Sequence, residues 1–397
     1  MLPLGDAGPE AAAKIRFVRR RAFAVFRAHG YRELLPSALD PAGQAARLGA
    51  PALAGPEGTE LRGDTMAALG RVYLDGPDRG RFARCMTAGT VFDGDAVIPE
   101  RAPAYEVSCG VIFGTPGPSA DAEVGALAVA LAGDPGLADA ELVVSTLGEP
   151  ADLARYVAAI TELRPLSCDR CQASRDPLRF FGCDEEGCRA LAAAAPLLRE
   201  YVSTPALKHH EGFLAMLEVA RLPARDDPRL AFGAGRFART IVELRARASD
   251  GRIVVVARGG RRDGMVAAIA GAGGPSVPAV GLTLGLARAA ACVGPADASF
   301  EPACEIFIAA QGVAARAWAF RAAAAERARG FRVDVDLGEG GWADQLSRAD
   351  RVRARVVVLC GEGERKAGEL QVRDMSTRET RRIPESELAA ELKRLLR

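Results

Sequence analysis

Apolar side chains at Ile15, Val18, Ala22, Val25 and Phe26 recur at helical spacing, which predicts a helix over 9–29 that Gly30 stops. The next apolar run, "YRELL", predicts a short strand, and 61–74 predicts a strand leading into a helix. Two apolar strands joined by a loop follow in "GTVFDGDAVIPERAPAYEVSCGVIFG", residues 89–114, and the loop opens on Asp93 and Asp95. Helix and strand alternate through 120–160. From Arg164 to Arg225 a cysteine-containing loop gives way to helices, and strands resume at "TIVELRA" and "RIVVVARGG". "VPAVGLTLGLARAAA", residues 277–291, predicts a buried strand running into a helix through small residues.

The Pro- and Ala-rich stretch "GPADASFEPA" at 294–303 marks a domain boundary. Beyond it, strands "EIFIAA", "FRVDVDL", "ARVVVLCG" and "ELQVRDM" are interleaved with helices near 312–329 and 341–352, and "SELAAELKRLL" closes the chain as a helix. Alternation of this kind, with right-handed crossovers, predicts a compact α/β domain. No internal repeat or long low-complexity tract interrupts the pattern.

Composition narrows the classes. A chain of 397 residues exceeds what one core usually serves, so two or three domains are expected. Basic and acidic residues balance, 52 against 51, which excludes an overwhelmingly basic nucleic-acid binder but leaves room for a local basic face. No run approaches 18 apolar residues and the N-terminal "MLPLGDAGPEAAAKIRF" lacks a secretory apolar core, so a cytoplasmic protein with no membrane partner is expected. In that compartment nine cysteines point to thiols or metal ligands rather than disulfides.

Cys168 and Cys171, then Cys183 and Cys188, flank an 11-residue span in a segment without strong periodicity. Four thiolates at this spacing suit a tetrahedral structural Zn²⁺ that would pin a loop with little core of its own. Plain reduced thiols and a redox role are the competing readings. His29 sits at a helix end and is expected to face solvent. His209 and His210 are neighbours at the start of a helix, so they point apart and make a poor metal pair.

Several stretches, in order, carry a family likeness: "PEAAAKIRFVRRRAFAVFRAHGYREL", "LRGDTMAALGR", "GTVF…EVSCGVIFG", "CDRCQASRDPLRFFGCDEEGC", "HHEGFLAMLEVARLP", "RGGRRDGMVAAIAG", "VPAVGLTLGLAR" and "ADQLSRADRVRARVVVLCGEGE". Over nearly its whole length the chain resembles histidyl-tRNA synthetase, a class II aminoacyl-tRNA synthetase. The resemblance implies an α+β protein whose core is a six-stranded antiparallel sheet, at 1–160 and 231–296. It also implies a Cys-containing helical insertion at 161–230, an anticodon-binding-like α/β domain at 303–397, and a homodimer.

The site residues that the resemblance points to are largely replaced. Asp93 stands where the family has an Arg that grips the α-phosphate of ATP in the second class II motif. At about 4 Å and an effective dielectric near 20 a unit charge is worth roughly 4 kcal/mol, so reversing its sign costs several kcal/mol before screening. An Asp can hold Mg²⁺ but cannot replace a bidentate phosphate clamp. Val107 and Val111 stand where Gln and Glu meet the histidine substrate. Phe232 replaces the activating Arg, Arg236 and Phe237 replace paired tyrosines, Arg262 replaces another Tyr, and Asp64 shortens a Glu. A stretch that adds a strand is expected to be missing between Gly49 and Leu61, and the motif 1 proline falls at Pro36 or is replaced by Ser37. Thr65, Gly281, Gly285 and the motif 3 Arg, Arg288, remain, and Arg288 either binds an anion or pairs with a carboxylate such as Asp93.

Three functions follow from this pattern. The first is a non-catalytic relative resembling the regulatory subunit of ATP phosphoribosyltransferase in histidine biosynthesis, partnered by the catalytic subunit; "LRGDT" echoes those subunits, although they commonly have a reduced C-terminal region. The second is a tRNA-binding adaptor working through residues 304–397, where Arg348, Arg351, Arg353 and Lys366 are candidates to face phosphates. The third is a divergent histidine–tRNA ligase or other adenylate-forming ligase using ATP and Mg²⁺, with Arg236, Arg258 or Arg262 in place of the lost clamps.

Overall fold

The computed structural model describes residues 7–92, 104–294, 304–338 and 340–396. The chain divides into two compact units, Met1–Ala298 and Ser299–Arg397.

The first unit is organised by one eight-stranded sheet. In spatial order its strands are Arg32–Glu33, Ala83–Phe92, Ala104–Phe113, Ala279–Gly285, Ile253–Arg261, Ala238–Arg247, Glu141–Thr146 and Arg225–Asp226. The six inner strands are mutually antiparallel, as the resemblance implies. The two outer strands are only two residues long and run parallel to their neighbours. "YRELL" therefore supplies less strand than its apolar content predicts.

Helices cover both faces. On one face, the helix Pro9–Ala28 buries Val18, Ala22, Val25 and Phe26, the stripe its spacing predicts. Gly110 makes that contact possible, because a Cβ there would collide with the Phe26 and Tyr31 rings. The helix Pro118–Gly133 packs beside it and against Thr204–Val219. Those helices cross closely at Gly125, where a Cβ would meet Leu217 at 2.8 Å. On the other face lie the helices Thr65–Asp75 and Met265–Ala270, sharing a core of Met66, Leu69, Cys85, Cys109, Val111, Phe113 and Met265.

Between Pro150–Ala159 and the Ala238–Arg247 strand, several short helices lead into the longer helix Thr204–Val219, which has Pro in its first turn. Its core, including Tyr156, Leu178 and Phe180, closes on Val143 and Ile241 of the sheet.

Two expectations change here. Leu39–Pro41, Leu53–Ala54 and Thr59–Leu61 form a small antiparallel sheet, so strands do form between Gly49 and Leu61. His29 is only 21% exposed, because its Nδ1 lies 3.0 Å from Glu123 Oε1.

The second unit is a five-stranded sheet in the order Val333–Val335, Ile306–Ala310, Val356–Cys360, Glu369–Asp374, Thr380–Pro384. The first three strands are parallel and the last two antiparallel. Its central strands are continuously apolar, as burial on both faces requires. Gln345 is fully buried yet satisfied: its Oε1 accepts from the Ala310 amide at 2.9 Å, and its Nε2 donates to Gly340 O at 3.0 Å.

Candidate functional site

Asp64 immediately precedes the helix Thr65–Asp75 and caps it, Oδ1 accepting from the Ala67 amide at 3.1 Å. Its other oxygen accepts from Arg262 Nη1 at 2.5 Å. Arg262 follows the strand Ile253–Arg261, its backbone amide tied to Ala279 O at 2.7 Å. The Arg262 side chain is 3% exposed; its Nε donates to Arg236 O at 3.2 Å, and its guanidinium lies 5.7 Å from the Phe237 ring centre. Phe237 in turn meets Phe232 edge-on at 5.7 Å. Burial pushes the Asp64 carboxyl up, but the charges of Arg262 and Arg236 and the Ala67 amide outweigh it and hold it below the usual carboxylate range.

The structure thus joins Asp64 and Arg262 directly, with the Arg236 charge nearby. Thr65 follows Asp64, 3% exposed, with no hydrogen-bond partner for its Oγ1 among the described residues. Arg288 lies elsewhere, in the helix Leu286–Ala291 beyond the opposite end of the Ala279–Gly285 strand, where it is exposed and donates to Val255 O at 3.3 Å. Asp93, and with it any pairing to Arg288, lies outside the described residues. Val107 and Val111 are buried, 1% and 0% exposed, and offer no polar atom from their side chains.

Further along the same sheet Arg258, a candidate clamp from the sequence, joins Glu243 and Arg245, which the sequence did not single out. Glu243, 1% exposed, stands opposite Arg258 in the strand register, with Arg245 two residues on and so on the same face. Arg245 Nε donates to Glu243 Oε1 and Arg258 Nε to Oε2, each at 2.7 Å. The Arg258 guanidinium stacks 4.7 Å from the Phe232 ring centre. A readable signal existed: a carboxylate inside the apolar strand "TIVELRA" needs a cationic neighbour.

The four cysteines converge. The Sγ atoms of Cys168, Cys171, Cys183 and Cys188 all lie within 4.8 Å of one another. Two of the separations, Cys168–Cys183 and Cys188–Cys171, are 3.8 and 3.9 Å. Tetrahedral Zn–S bonds of about 2.3 Å place sulfurs about 3.8 Å apart, so the donor set fits zinc. The Cys168 amide donates to Cys188 Sγ at 3.3 Å. Burial pushes the Cys168 thiol up, but hydrogen bonds from the Cys171 amide and neighbouring thiols bring it down to about 7. Cys171 is pushed up, first by burial.

The histidines are engaged separately. His209 Nε2 lies 3.1 Å from Asp121, which also pairs with the fully buried Arg261, while His210 Nε2 lies 3.0 Å from Asp226. In the second unit Arg348 pairs with Asp336 at 2.5 Å, whereas Arg351, Arg353 and Lys366 are exposed.

A family profile described as "Anticodon binding domain" matches residues 306–395. The histidine–tRNA ligase of Trichlorobacter lovleyi is 33% identical over 263 residues, 65% of this chain and 61% of that protein, so the match spans under two thirds of its length. The histidine–tRNA ligase of Synechococcus sp. strain JA-3-3Ab is 31% identical over 284 residues, 70% of this chain and 67% of that protein. The structure of apo S. aureus histidyl-tRNA synthetase superposes with a TM-score of 0.74 at 22% identity, covering 98% of this chain and 97% of that one. An ATP phosphoribosyltransferase regulatory subunit/histidyl-tRNA synthetase from Bacillus halodurans C gives 0.64 at 17%, covering 90% and 96%. At such identities the two structures speak for the fold alone, a class II synthetase core with a C-terminal anticodon-binding domain. With the sequence relatives added, the chain belongs to the histidyl-tRNA synthetase family.

Proposed function

We propose that this chain is a family member that has given up forming histidyl adenylate and serves as a non-catalytic regulatory subunit. The observation that carries this reading is the Asp64–Arg262 ion pair, 2.5 Å apart and 3% exposed on the Arg side. Both residues replace ones that the family uses toward substrate, and here each is satisfied by the other. Phe232, Phe237, Val107 and Val111 supply apolar surface at four more of those positions. Catalysis by differential binding needs polar groups aimed at the reacting atoms, and these have been redirected or removed.

The likeness to the Bacillus halodurans protein, named as an ATP phosphoribosyltransferase regulatory subunit/histidyl-tRNA synthetase, supports a catalytic ATP phosphoribosyltransferase subunit as partner. On this reading the chain works in histidine biosynthesis as a cytoplasmic homodimer. No described helix is long and apolar enough to cross a membrane. The anticodon-binding profile and the exposed Arg351, Arg353 and Lys366 favour tRNA as a second partner. In the ligase reading, favoured by the names of the relatives, ATP and Mg²⁺ would be used and Arg258 would stand in for a lost clamp. The cysteine cluster would hold a structural Zn²⁺, ordering the insertion without entering chemistry.

The test is reconstitution. A catalytic ATP phosphoribosyltransferase subunit purified without a regulatory partner is assayed with and without this chain. Co-elution with a changed rate is expected; the absence of both would overturn the assignment.

A further inference from the structure

A cavity of about 240 Å³ lies between the insertion and the sheet, lined by Arg189, Arg229, Arg245 and Arg258 against Asp227 and Glu243. Both carboxylates are already engaged. Glu243 accepts from Arg245 and Arg258, and Asp227 accepts from Arg225 Nη1 and from the Arg229 amide, each at 2.9 Å. The lining therefore carries more guanidinium than carboxylate charge. Arg258 is pre-oriented by Glu243 and by the Phe232 ring. Arg229 is braced by donating to the Ala192 and Ala195 carbonyls at 2.9 and 3.1 Å. Arg189 directly follows Cys188, and its guanidinium has no partner among the described residues.

We propose that this cavity binds a small phosphomonoester. Planar guanidinium forks match phosphate oxygens bidentately, and several of them fixed around one space favour a dianion over a monoanionic carboxylate. Phe181, Leu230 and Phe232 give the cavity an apolar wall for a short organic part. Its volume falls below the several hundred Å³ usual for larger ligands, which favours a small ester over a nucleotide. The Asp64–Arg262 pair is outside the lining, but Phe232, at the position the resemblance assigns to the activating Arg, is part of it, so the proposal rests on the reading that this position no longer serves adenylate formation.

The test is calorimetric titration of the full chain at fixed ionic strength with inorganic phosphate, glycerol 3-phosphate and acetate in turn. Glycerol 3-phosphate is expected to bind more tightly than phosphate, and acetate not at all. Arg189→Ala, which breaks no internal bond, is expected to weaken both phosphates about tenfold, the worth of one charge-assisted contact. Arg16→Ala, at an exposed position of the helix Pro9–Ala28, should leave both unchanged. No binding by wild type, equal affinity for acetate, or equal phosphate affinity in Arg189→Ala would overturn the proposal. Pyrophosphate exchange reads the adenylate question separately, so either idea can fail alone.

Discussion

At the Asp64–Arg262 pair a carboxylate and a guanidinium 2.5 Å apart satisfy each other, whereas in the Cys168–Cys188 loop four sulfurs converge within 4.8 Å of one another. Both are polar groups withdrawn from water, yet they differ in what remains available. Asp64 has spent one oxygen on the helix cap and the other on Arg262. The four sulfurs lie close enough together to share one tetrahedral ion, a donor set that fits a metal. A polar cluster closed on itself holds a fold together, while a convergent one calls for a ligand.

The largest effect that would break this contrast is at the cysteines. Metal analysis is expected to find one zinc per chain, and Cys171→Ser is expected to lower Tm by ~10 °C, because a structural metal contributes folding free energy directly. A metal-free protein with an unchanged Tm would move the loop into the class of ordinary reduced thiols.

Next comes Arg262→Ala, which leaves the Asp64 charge without its partner and is expected to destabilise by ~3 kcal/mol in urea unfolding. Asp64→Asn combined with Arg262→Met keeps the cap and removes both charges, so it should return to within about 1 kcal/mol of wild type. A double variant as unstable as the single one would mean that the pair is not self-contained.

The same pair predicts a pH dependence. The folded Asp64 carboxyl is held below its unfolded value, so its stabilisation is complete above the unfolded pKa near 4. It is lost as pH falls through the lower folded value. Wild type should therefore lose more stability than Asp64→Asn between pH 5 and pH 2.5, measured by urea midpoints. The smallest effect is Thr65→Val, which replaces a buried hydroxyl without a partner among the described residues and should be neutral or stabilise by up to ~1 kcal/mol.

The two regions also differ in how far the sequence could reveal them. The cysteines come as two close pairs around an 11-residue span, so their chemistry is local and readable. Asp64 and Arg262 lie 198 positions apart, and only the sheet and the Thr65–Asp75 helix bring them together. Each substitution was visible alone, but their mutual pairing was not. The apolar strands of the second unit were legible because burial on both faces writes a continuous run. Thr380–Pro384 was not, since its pattern is exposed at four of five positions and it forms the edge of the sheet. Glu243 and Arg258 needed the strand register before either could be paired.

On the function proposed above, polar groups once aimed at substrate now serve the fold. ATP–pyrophosphate exchange on the purified chain is the direct test, with histidine first and each other amino acid after it, beside an Asp93→Arg variant. No exchange above background is expected with any amino acid in the wild-type chain. Exchange with one of them would contradict that function, since an adenylate would then be forming in a site whose Asp64 and Arg262 are bound to each other.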